Sequence, residues 1–271
     1  MDGLPVRGDG VASLDLPLPP ARMPLLRRGR QLKRWRYVGV YGPEVMLCVG
    51  VARIGVVPKR WWAVVLPGRP VREGARGVRF DGSRVVIDAG DVRADLLVEE
   101  GDGVESVNSH GGAGGYVWTR KQAGVPVRGW VEVDGRRLEV DALGAVDETA
   151  GYHARHTSWL WSAGVGRGAG GERVGWNLVT GVNDGPAGSE RTVWVEGGPV
   201  EVPPSDFALD LSRVDGLSFD EWPDSARVDD TNLLLFRSRY RQPFGSFSGT
   251  LPNGLELAEG WGVMESHEVV W

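Results

Sequence analysis

The sequence predicts an all-β protein built from two related halves, and three observations support this prediction. Short runs in which apolar and polar residues alternate recur along the chain, as in Tyr37–Tyr41 and Arg84–Asp88, and this is the pattern of strands that bury one face. Turn dipeptides such as Asp81-Gly82, Asp134-Gly135 and Asn253-Gly254 separate these runs. No window of about 12 residues combines the apolar spacing and the caps of an amphipathic helix.

Composition and charge exclude several classes of protein. The 31 Lys and Arg residues against 36 Asp and Glu residues give a net charge of −5. The short basic run Arg27–Arg36 is typical of a solvated entry segment rather than of a nucleic-acid interface.

The single cysteine, Cys48, lies in an apolar run and rules out intrachain disulfides and cysteine-based zinc sites. No stretch of about 18 apolar residues predicts a membrane span. Because Met1–Pro5 does not resemble a signal peptide, the cytoplasm is the predicted compartment.

Three segments are predicted along the chain. Residues 1–33 are rich in Pro, Gly and Arg and are predicted to form an extended arm. Residues 34–150 and 151–271 are predicted to form two tandem β units, because Arg120–Gly129 resembles Arg239–Gly249 and each is followed by a hairpin turn and an apolar strand that ends in acidic residues. Units of this kind close into antiparallel barrels or half-barrels, or pack as a sandwich.

Glycine accounts for 41 of the 271 residues, about twice the usual share, and its positions carry two further predictions. Gly129 and Gly144 of the first unit match Gly249 and Gly262 of the second, at separations of 120 and 118 residues, which supports the duplication. The small residues of Ser106–Gly115 predict a mobile loop.

Tryptophan is the second unusual count, with 12 residues against 6 phenylalanines and 5 tyrosines. The densest group of chemically active side chains is Asp147–Trp161, in which Trp159 and Trp161 stand two residues apart and therefore face the same side of a strand. If that side faces a hollow between sheets, the two indoles form a flat apolar wall. We therefore predict a ligand cavity lined by aromatic and polar residues, namely Tyr152, His153, His156, Trp159, Trp161, Trp176, Asn177 and Trp261.

Three kinds of chemistry suit this cluster and its mirror at the C-terminus, Glu265–Trp271. His153 and His156 could ligate a metal together with a nearby acid, but their spacing suits a helix and no helix is predicted there. A carboxyl group buried against tryptophan would have a raised pKa and could donate a proton to an apolar substrate. The polar residues could instead hydrogen-bond loops while the tryptophans fill the core. The candidate acids and their neighbouring histidine are Asp147, Glu148, Glu265 and His267.

Six short motifs follow one another along residues 30–271. They are Lys33–Tyr37, Glu148–Trp161, Val174–Leu178, Arg191–Gly197, Gln242–Gly249 and Gly262–His267. In this order they resemble a family of bacterial proteins known as domain of unknown function 2804, to which no activity is assigned. The family is more distantly similar to the double-barrel lipocalin-like group that includes carotenoid hydratases and some terpenoid cyclases. This resemblance implies acid-promoted chemistry on an isoprenoid, in a dry barrel whose aromatic faces stabilise a carbocation. Ser266 departs from the family pattern, which has an acidic residue before the final histidine.

The resemblance makes two tandem lipocalin-like barrels or half-barrels, pseudo-duplicated, the predicted fold. The first functional hypothesis is binding of an apolar small molecule, an isoprenoid or a lipid, with Asp147, Glu148 or Glu265 as proton donor in a catalytic form. A non-catalytic lipid carrier or sensor is the second. The third is a carbohydrate-binding or carbohydrate-active β sandwich, which requires exposed tryptophans and paired carboxylates about 5–10 Å apart. No nucleophile elbow, P-loop or dinucleotide fingerprint occurs, so we expect no cofactor and no metal. The predicted partner is a small apolar ligand, without nucleic acid or membrane insertion.

Overall fold

The computed structural model describes residues 3–110, 114–233 and 236–271. Within these residues the chain forms one short 3-10 helix (Gly8–Ser13) and 23 strands, so the all-β prediction is confirmed. The strands of the first half are β1 (Val6–Arg7), β2 (Leu26–Arg27), β3 (Arg30–Gln31), β4 (Lys33–Tyr41), β5 (Met46–Ile54), β6 (Val57–Val65), β7 (Arg72–Gly74), β8 (Val78–Asp81), β9 (Arg84–Asp88), β10 (Val92–Val98), β11 (Val104–Ser109), β12 (Tyr116–Val133) and β13 (Arg136–Gly151). The strands of the second half are β14 (His156–Gly168), β15 (Arg173–Thr180), β16 (Thr192–Val195), β17 (Gly198–Glu201), β18 (Arg213–Val214), β19 (Gly216–Glu221), β20 (Arg227–Leu233), β21 (Phe236–Gln242), β22 (Phe244–Thr250) and β23 (Glu256–Val270).

These strands form two large antiparallel sheets, each curled into a half-barrel. The first has the order β7-β6-β5-β4-β13-β12-β10-β9-β8, and β11 lies between β12 and β1 beside this path. The second has the order β17-β16-β15-β14-β23-β22-β19-β18, and β21 lies between β23 and β20 beside this path. The strands β2 and β3 form a separate two-stranded ribbon.

The two sheets repeat one arrangement. The run β6-β5-β4-β13 of the first sheet corresponds to β16-β15-β14-β23 of the second, and β12 corresponds to β21 and β22 together, which Pro243 separates. Gly129 of β12 and Gly249 of β22 both have positive φ angles, of 144° and 110°. A Cβ atom at either position would collide with a backbone oxygen, of Asp95 or of Gly216. The duplication is therefore confirmed, while the unit boundaries at 33/34 and 150/151 stay a prediction.

Each sheet encloses an apolar core, and a further apolar cluster lies between the sheets. The alternation of side chains along β4 shows how one strand contributes both to the core of the first sheet and to the cluster between the sheets. Val38 and Val40 pack in the core of the first sheet, whereas Tyr37 and Tyr41 pack in the cluster between the sheets. Trp176 and its neighbours fill the core of the second sheet. One strand face therefore builds a half-barrel, and the opposite face builds the contact between the two half-barrels.

The two sheets are in direct backbone contact at a bulge of β12. The register shifts between Ala123 and Val125, and Gly124 there has a φ of +73°. Gly175 of β15 lies against this bulge, and a Cβ atom on it would meet the backbone nitrogen of Gly124. Glycine at both positions therefore lets the backbones approach more closely than any larger residue would.

The N-terminal arm covers one side of the first sheet. Its strand β1 pairs with β11, and its residues Val11 and Met23 pack in a cluster with Tyr116 and Tyr152. The loop predicted over Ser106–Gly115 is partly wrong, because β11 continues to Ser109 and its backbone pairs with β12. Residues 111–113 of that prediction lie outside the described residues. In the described part of the chain, no helix has the length and apolar character needed to cross a membrane.

Candidate functional site

A cavity of about 190 Å³ lies between the two sheets, where both present aromatic side chains. The first sheet contributes Trp35, Tyr37, Ala52, Ile54, Lys59, Trp61, Lys121, Asp147 and Thr149. The remaining lining comes from His153 and from the second half, with Trp159, Trp161, Val179, Val182, Asn183, Glu190, Arg227, Asp229, Phe236, Ser238, Tyr240, Glu265, His267, Val269 and Trp271. Both halves are therefore needed to enclose the cavity.

The aromatic wall is held by contacts behind it. Trp161 is buried, and its indole N–H donates to Oδ1 of Asn177 at 2.8 Å. Its ring meets Tyr37 edge-on, with centroids 5.6 Å apart. Trp159 faces the same side of β14 and contacts His267, with centroids 4.4 Å apart. These contacts fix the rings in place, so that the wall is formed before any ligand arrives.

Glu265 is a buried carboxyl group in the cavity, with an exposed fraction of 8%. Its Oε1 accepts the indole N–H of Trp159 at 2.7 Å, and its Oε2 accepts the Tyr240 hydroxyl at 3.0 Å and the Gln242 amide at 2.9 Å. Burial raises the pKa of Glu265 to about 7, although the donors from Trp159 and Tyr240 act in the opposite direction. A large share of Glu265 is therefore the neutral acid at neutral pH, which is the form that donates a proton.

Asp147 belongs to a buried ionic group. Lys121 lies 2.6 Å from Oδ1 of Asp147 and 3.3 Å from Oε1 of Glu190, and all three side chains line the cavity. Thr149 and Trp35 donate to the two oxygens of Asp147 at 3.0 and 3.2 Å. Burial by itself lowers the pKa of Lys121, but the two carboxylates outweigh it and the pKa is raised. Burial raises the pKa of Glu190, against the effect of Lys121.

Asp147 and Glu265 occupy equivalent positions in the two halves. Each lies three residues after the matched glycine of its strand, β13 or β23. Each also accepts an indole N–H from the neighbouring strand, Asp147 from Trp35 and Glu265 from Trp159. Their other partners differ, because Asp147 is ion-paired with Lys121 whereas the other donors to Glu265, the Tyr240 hydroxyl and the Gln242 amide, are neutral and the charge of Arg227 acts on it without a direct bond among the described residues. The duplication has therefore placed two carboxyl groups in one cavity and given them different environments.

His267 is neutral in this environment. Its Nε2 lies 2.9 Å from the Ser238 hydroxyl, and its ring packs against Trp159 and Tyr240. Burial lowers the pKa of His267 to about 4, and the charge of Lys59 acts in the same direction. At neutral pH His267 is therefore a hydrogen-bonding group and not a proton reservoir.

Three polar atoms of the lining are buried and have no hydrogen-bond partner among the described residues. They are Nε1 of Trp61, Nδ1 of His153 and Oδ1 of Asn183. Trp61 can only donate, and the Asn183 oxygen can only accept. Burial lowers the pKa of His153 well below its usual value, with His110 and Lys33 adding to the effect, so its ring is neutral. A buried polar atom without a partner costs about 1–3 kcal/mol, which a ligand with complementary groups would recover.

A protein-family model described as domain of unknown function (DUF2804) matches residues 69–271, which is most of the chain. The chain belongs to this family. No curated protein matches it. Among solved structures, this DUF2804 protein is similar to kievitone hydratase from Nectria haematococca, with a TM-score of 0.55, 12% sequence identity and 88% of each chain covered. It is also similar to CghA, with a TM-score of 0.48, 12% identity, and 98% of this chain and 97% of that chain covered. At such low identity the likeness to the hydratase shows the fold alone, a pair of lipocalin-like half-barrels.

The structure brings six of the predicted site residues of this DUF2804 protein together in the cavity. They are Asp147, His153, Trp159, Trp161, Glu265 and His267. Asn177 stands directly behind the wall, where it accepts from Trp161 and donates to the backbone oxygen of Glu190. One carboxyl group from each acidic cluster, Asp147 from the first half and Glu265 from the second, therefore lies in the same cavity.

The other predicted site residues lie elsewhere. Glu148 points to the opposite face of β13, where it pairs with Arg36 and Arg120. Tyr152 packs under the N-terminal arm and donates to the backbone oxygen of Pro24 at 2.7 Å. His156 is exposed beside Glu268, so it does not converge with His153 on a metal. Two tryptophans also lie away from the cavity, Trp176 in the core of the second sheet and Trp261 packed against the cluster between the sheets.

Several lining residues of the DUF2804 cavity were not predicted. Trp35 could have been found, because it stands at the start of β4 as Trp159 stands near the start of β14. Lys121, Glu190 and Tyr240 carried no comparable signal, since each is a single polar residue in a strand or a loop. Their role depends on pairing with residues more than 20 positions away in sequence.

The raised pKa of Glu265 makes the stability of the protein depend on pH. A carboxyl group whose pKa is higher in the folded state costs little near pH 4.5, where the folded state binds the proton and the unfolded state is still about half protonated, and destabilises the fold as the pH rises from there through about 7. The full cost is about 3 kcal/mol. We expect the free energy of unfolding of the wild type, relative to Glu265→Gln, to fall by about 3 kcal/mol between pH 4.5 and pH 8.5.

Urea denaturation of both proteins at the two pH values measures this change. The comparison between pH values cancels any cost of the substitution that does not depend on pH. Parallel pH dependences in the two proteins would mean that Glu265 titrates as an ordinary carboxyl group.

Proposed function

We propose that the cavity binds an isoprenoid-type apolar molecule that carries a polar group, and that Glu265 acts on one of its double bonds as a general acid. The observation that carries this proposal is a buried, protonatable carboxyl group in a cavity with tryptophan walls. Protonation of a carbon–carbon double bond requires a neutral acid in a dry site and a surface that tolerates a positive charge. Glu265 supplies the first requirement, and Trp159 and Trp161 supply the second.

The proposed reaction is addition of water to an alkene, with cyclisation as its variant. The O–H bond of Glu265 breaks, and its proton forms a C–H bond with the π electron pair, which leaves a tertiary carbocation. A water molecule adds to this cation through an oxygen lone pair, and the proton that it then loses returns to the Glu265 carboxylate. In the cyclising variant a second double bond of the same molecule adds in place of water, and a neighbouring C–H bond gives its proton to Glu265. Either path restores the acid.

The unpaired polar atoms of the lining favour an oxygenated ligand over a pure hydrocarbon. These atoms have almost no accessible surface in the structure, so a ligand hydroxyl group would reach Nδ1 of His153, Oδ1 of Asn183 or Nε1 of Trp61 only after a small rotation of that side chain. A carbohydrate is a poorer match, because each of its many hydroxyl groups needs a partner and much of the wall is aromatic or aliphatic. A lipid carrier would use the same cavity without turnover, so binding and reaction have to be measured separately.

Geraniol and the hydrocarbon that lacks only its hydroxyl group provide the binding test. We expect both to quench the fluorescence of the lining tryptophans, and geraniol to bind roughly tenfold more tightly, because a hydrogen bond to a buried unpaired group contributes about 1–3 kcal/mol. His153→Phe, which keeps an aromatic ring beside Trp35, is expected to reduce this preference. His156→Phe is the matched control, since His156 is exposed and outside the cavity. If neither geraniol nor the hydrocarbon binds, the isoprenoid site is rejected. If both bind with equal affinity, the cavity does not hydrogen-bond the hydroxyl group.

A further inference from the structure

A second concave site lies in the first half-barrel, on the opposite face of β4 from the tryptophan cavity. It is a groove of about 740 Å³. Its charged lining residues are Arg34, Arg36, Arg53, Lys59, Arg60, Arg79 and Asp88. The chain as a whole carries a net charge of −5, so this concentration of positive charge does not follow from composition. We call this site the arginine groove.

Strand alternation explains the position of the arginine groove. Val38 and Val40 of β4 point into the core of the first sheet, and Arg34 and Arg36 continue the same face towards the end of the strand. On β5 the core face continues to Arg53, and on β6 it continues to Arg60. The core of the half-barrel is therefore followed on the same face by Arg34, Arg36, Arg53 and Arg60.

Most of this positive charge has no compensating carboxylate. Arg36 is paired with Glu100 and Glu148, and Lys59 is paired with Asp229. In the part of the chain that the structure describes, three further arginines form no ion pair, namely Arg34, Arg53 and Arg60, whereas the charge of Arg79 acts on the Asp95 carboxylate. The single acid of the lining, Asp88, lies 3.9 Å from Arg93.

Arg34, Arg53 and Arg60 are exposed, so solvent screens much of their mutual repulsion, and their arrangement leaves positive charge open to an anion. Arg34 stands directly opposite Arg53 in the β4–β5 pair, and like charges in that position destabilise neighbouring strands. Arg60 faces Val51, two residues from Arg53 on the same face of the sheet. Guanidinium groups match phosphate oxygens through paired N–H donors, so one phosphate group between these side chains would turn repulsion into attraction.

We propose that the arginine groove binds a ligand with a phosphate or diphosphate group, held by Arg34, Arg53 and Arg60. Val51, Val78 and Phe80 form an apolar part of the same groove, so the ligand can also carry an apolar portion. This site is separate from the function proposed for the cavity between the sheets. The two sites share only Trp35, Ala52 and Lys59 as lining residues.

The test uses the full chain and inorganic pyrophosphate as the probe, with isothermal titration calorimetry at constant ionic strength. We expect saturable binding to the wild type that weakens at least tenfold in Arg53→Gln and in Arg60→Gln. Arg155→Gln is the matched control, because Arg155 is exposed and lies outside the groove, and it should bind as the wild type does. Equal weakening by all three variants, or no binding by the wild type, would overturn the proposal.

A second experiment separates the two sources of a phosphate group. Phosphatidylcholine vesicles with and without phosphatidic acid test a lipid headgroup, whereas pyrophosphate in solution tests a free ligand. Binding of either that depends on the arginines supports the site.

A stability measurement keeps the proposal testable without any ligand. Arg53→Glu should raise the melting temperature, because it places an acid opposite Arg34, and it should also abolish binding of pyrophosphate. A lower melting temperature together with unchanged binding would overturn the proposal.

Discussion

Replacing Lys121 by methionine is expected to lower the free energy of unfolding by about 3–5 kcal/mol at neutral pH. The side chain of Lys121 is 4% exposed, and it is bonded to Asp147 and Glu190, whose side chains are 14% and 3% exposed. Methionine keeps much of the volume but removes the cation between the two carboxyl groups. Two buried acids would then face each other without compensation, and the loss of one partner from a buried ionic group is far more costly than the net contribution of the pair.

Lys59→Met is the matched control for this prediction. Lys59 lines the same cavity and bonds Asp229 at 2.9 Å, but the two side chains are 60% and 37% exposed. An ion pair in that setting contributes about 0–1 kcal/mol. Urea denaturation of both variants and the wild type measures the two effects. Similar small losses of unfolding free energy in both variants would show that Lys121, Asp147 and Glu190 are hydrated in solution. They would then not form a buried ionic group.

The fold could be predicted from the sequence because its signals are local and are repeated. Alternation over a few residues identifies strands such as β4 and β5, and the matched glycines Gly129 and Gly249 identify the duplication. Alternation can be read within one strand, and the duplication can be read by comparing two segments of the same sequence. The contact of β12 with the second sheet at the Gly124 bulge involves no such pattern, so the place where the half-barrels touch could not be predicted.

The site could be predicted only in part, because the sequence does not show which face of a strand turns towards the other sheet. Asp147 and Glu148 are adjacent and chemically alike, yet one faces the cavity and the other faces an ionic network with Arg36 and Arg120. Trp161 and Trp176 present the same difficulty on neighbouring strands, since the first lines the cavity and the second fills a half-barrel core. Only the packing of two curled sheets decides between the faces.

The duplication places two acids with different partners at equivalent positions of the two halves. In each half an indole N–H holds the carboxyl group in place, which fixes its direction into the cavity. The residue on the neighbouring strand makes the surroundings of the two carboxyl groups differ. Lys121 places a positive charge beside Asp147, whereas Gln242 donates from a neutral amide to Glu265.

Glu265→Gln is expected to lower the rate of acid-promoted turnover at least about 100-fold, which is the lower range for loss of a general acid. Glutamine keeps the shape of the side chain and the oxygen that accepts from Trp159, but it has no acidic proton. Ligand binding should change little, because the aromatic wall stays in place. Hydration of geraniol, followed by gas chromatography of the diol product in single-turnover and steady-state experiments, measures the rate, and tryptophan quenching measures binding in the same samples.

Glu148→Gln is the matched control for the acid. Glu148 lies on β13, the strand of the first half that corresponds to β23, but its side chain faces away from the cavity. It should react at the rate of the wild type. The rate of the wild type should also fall as the pH rises through about 7, since Glu265 then loses its proton. Binding with no turnover in the wild type would indicate a carrier, and full turnover in Glu265→Gln would remove the acid role and leave Asp147 as the remaining predicted carboxyl group that lines the cavity.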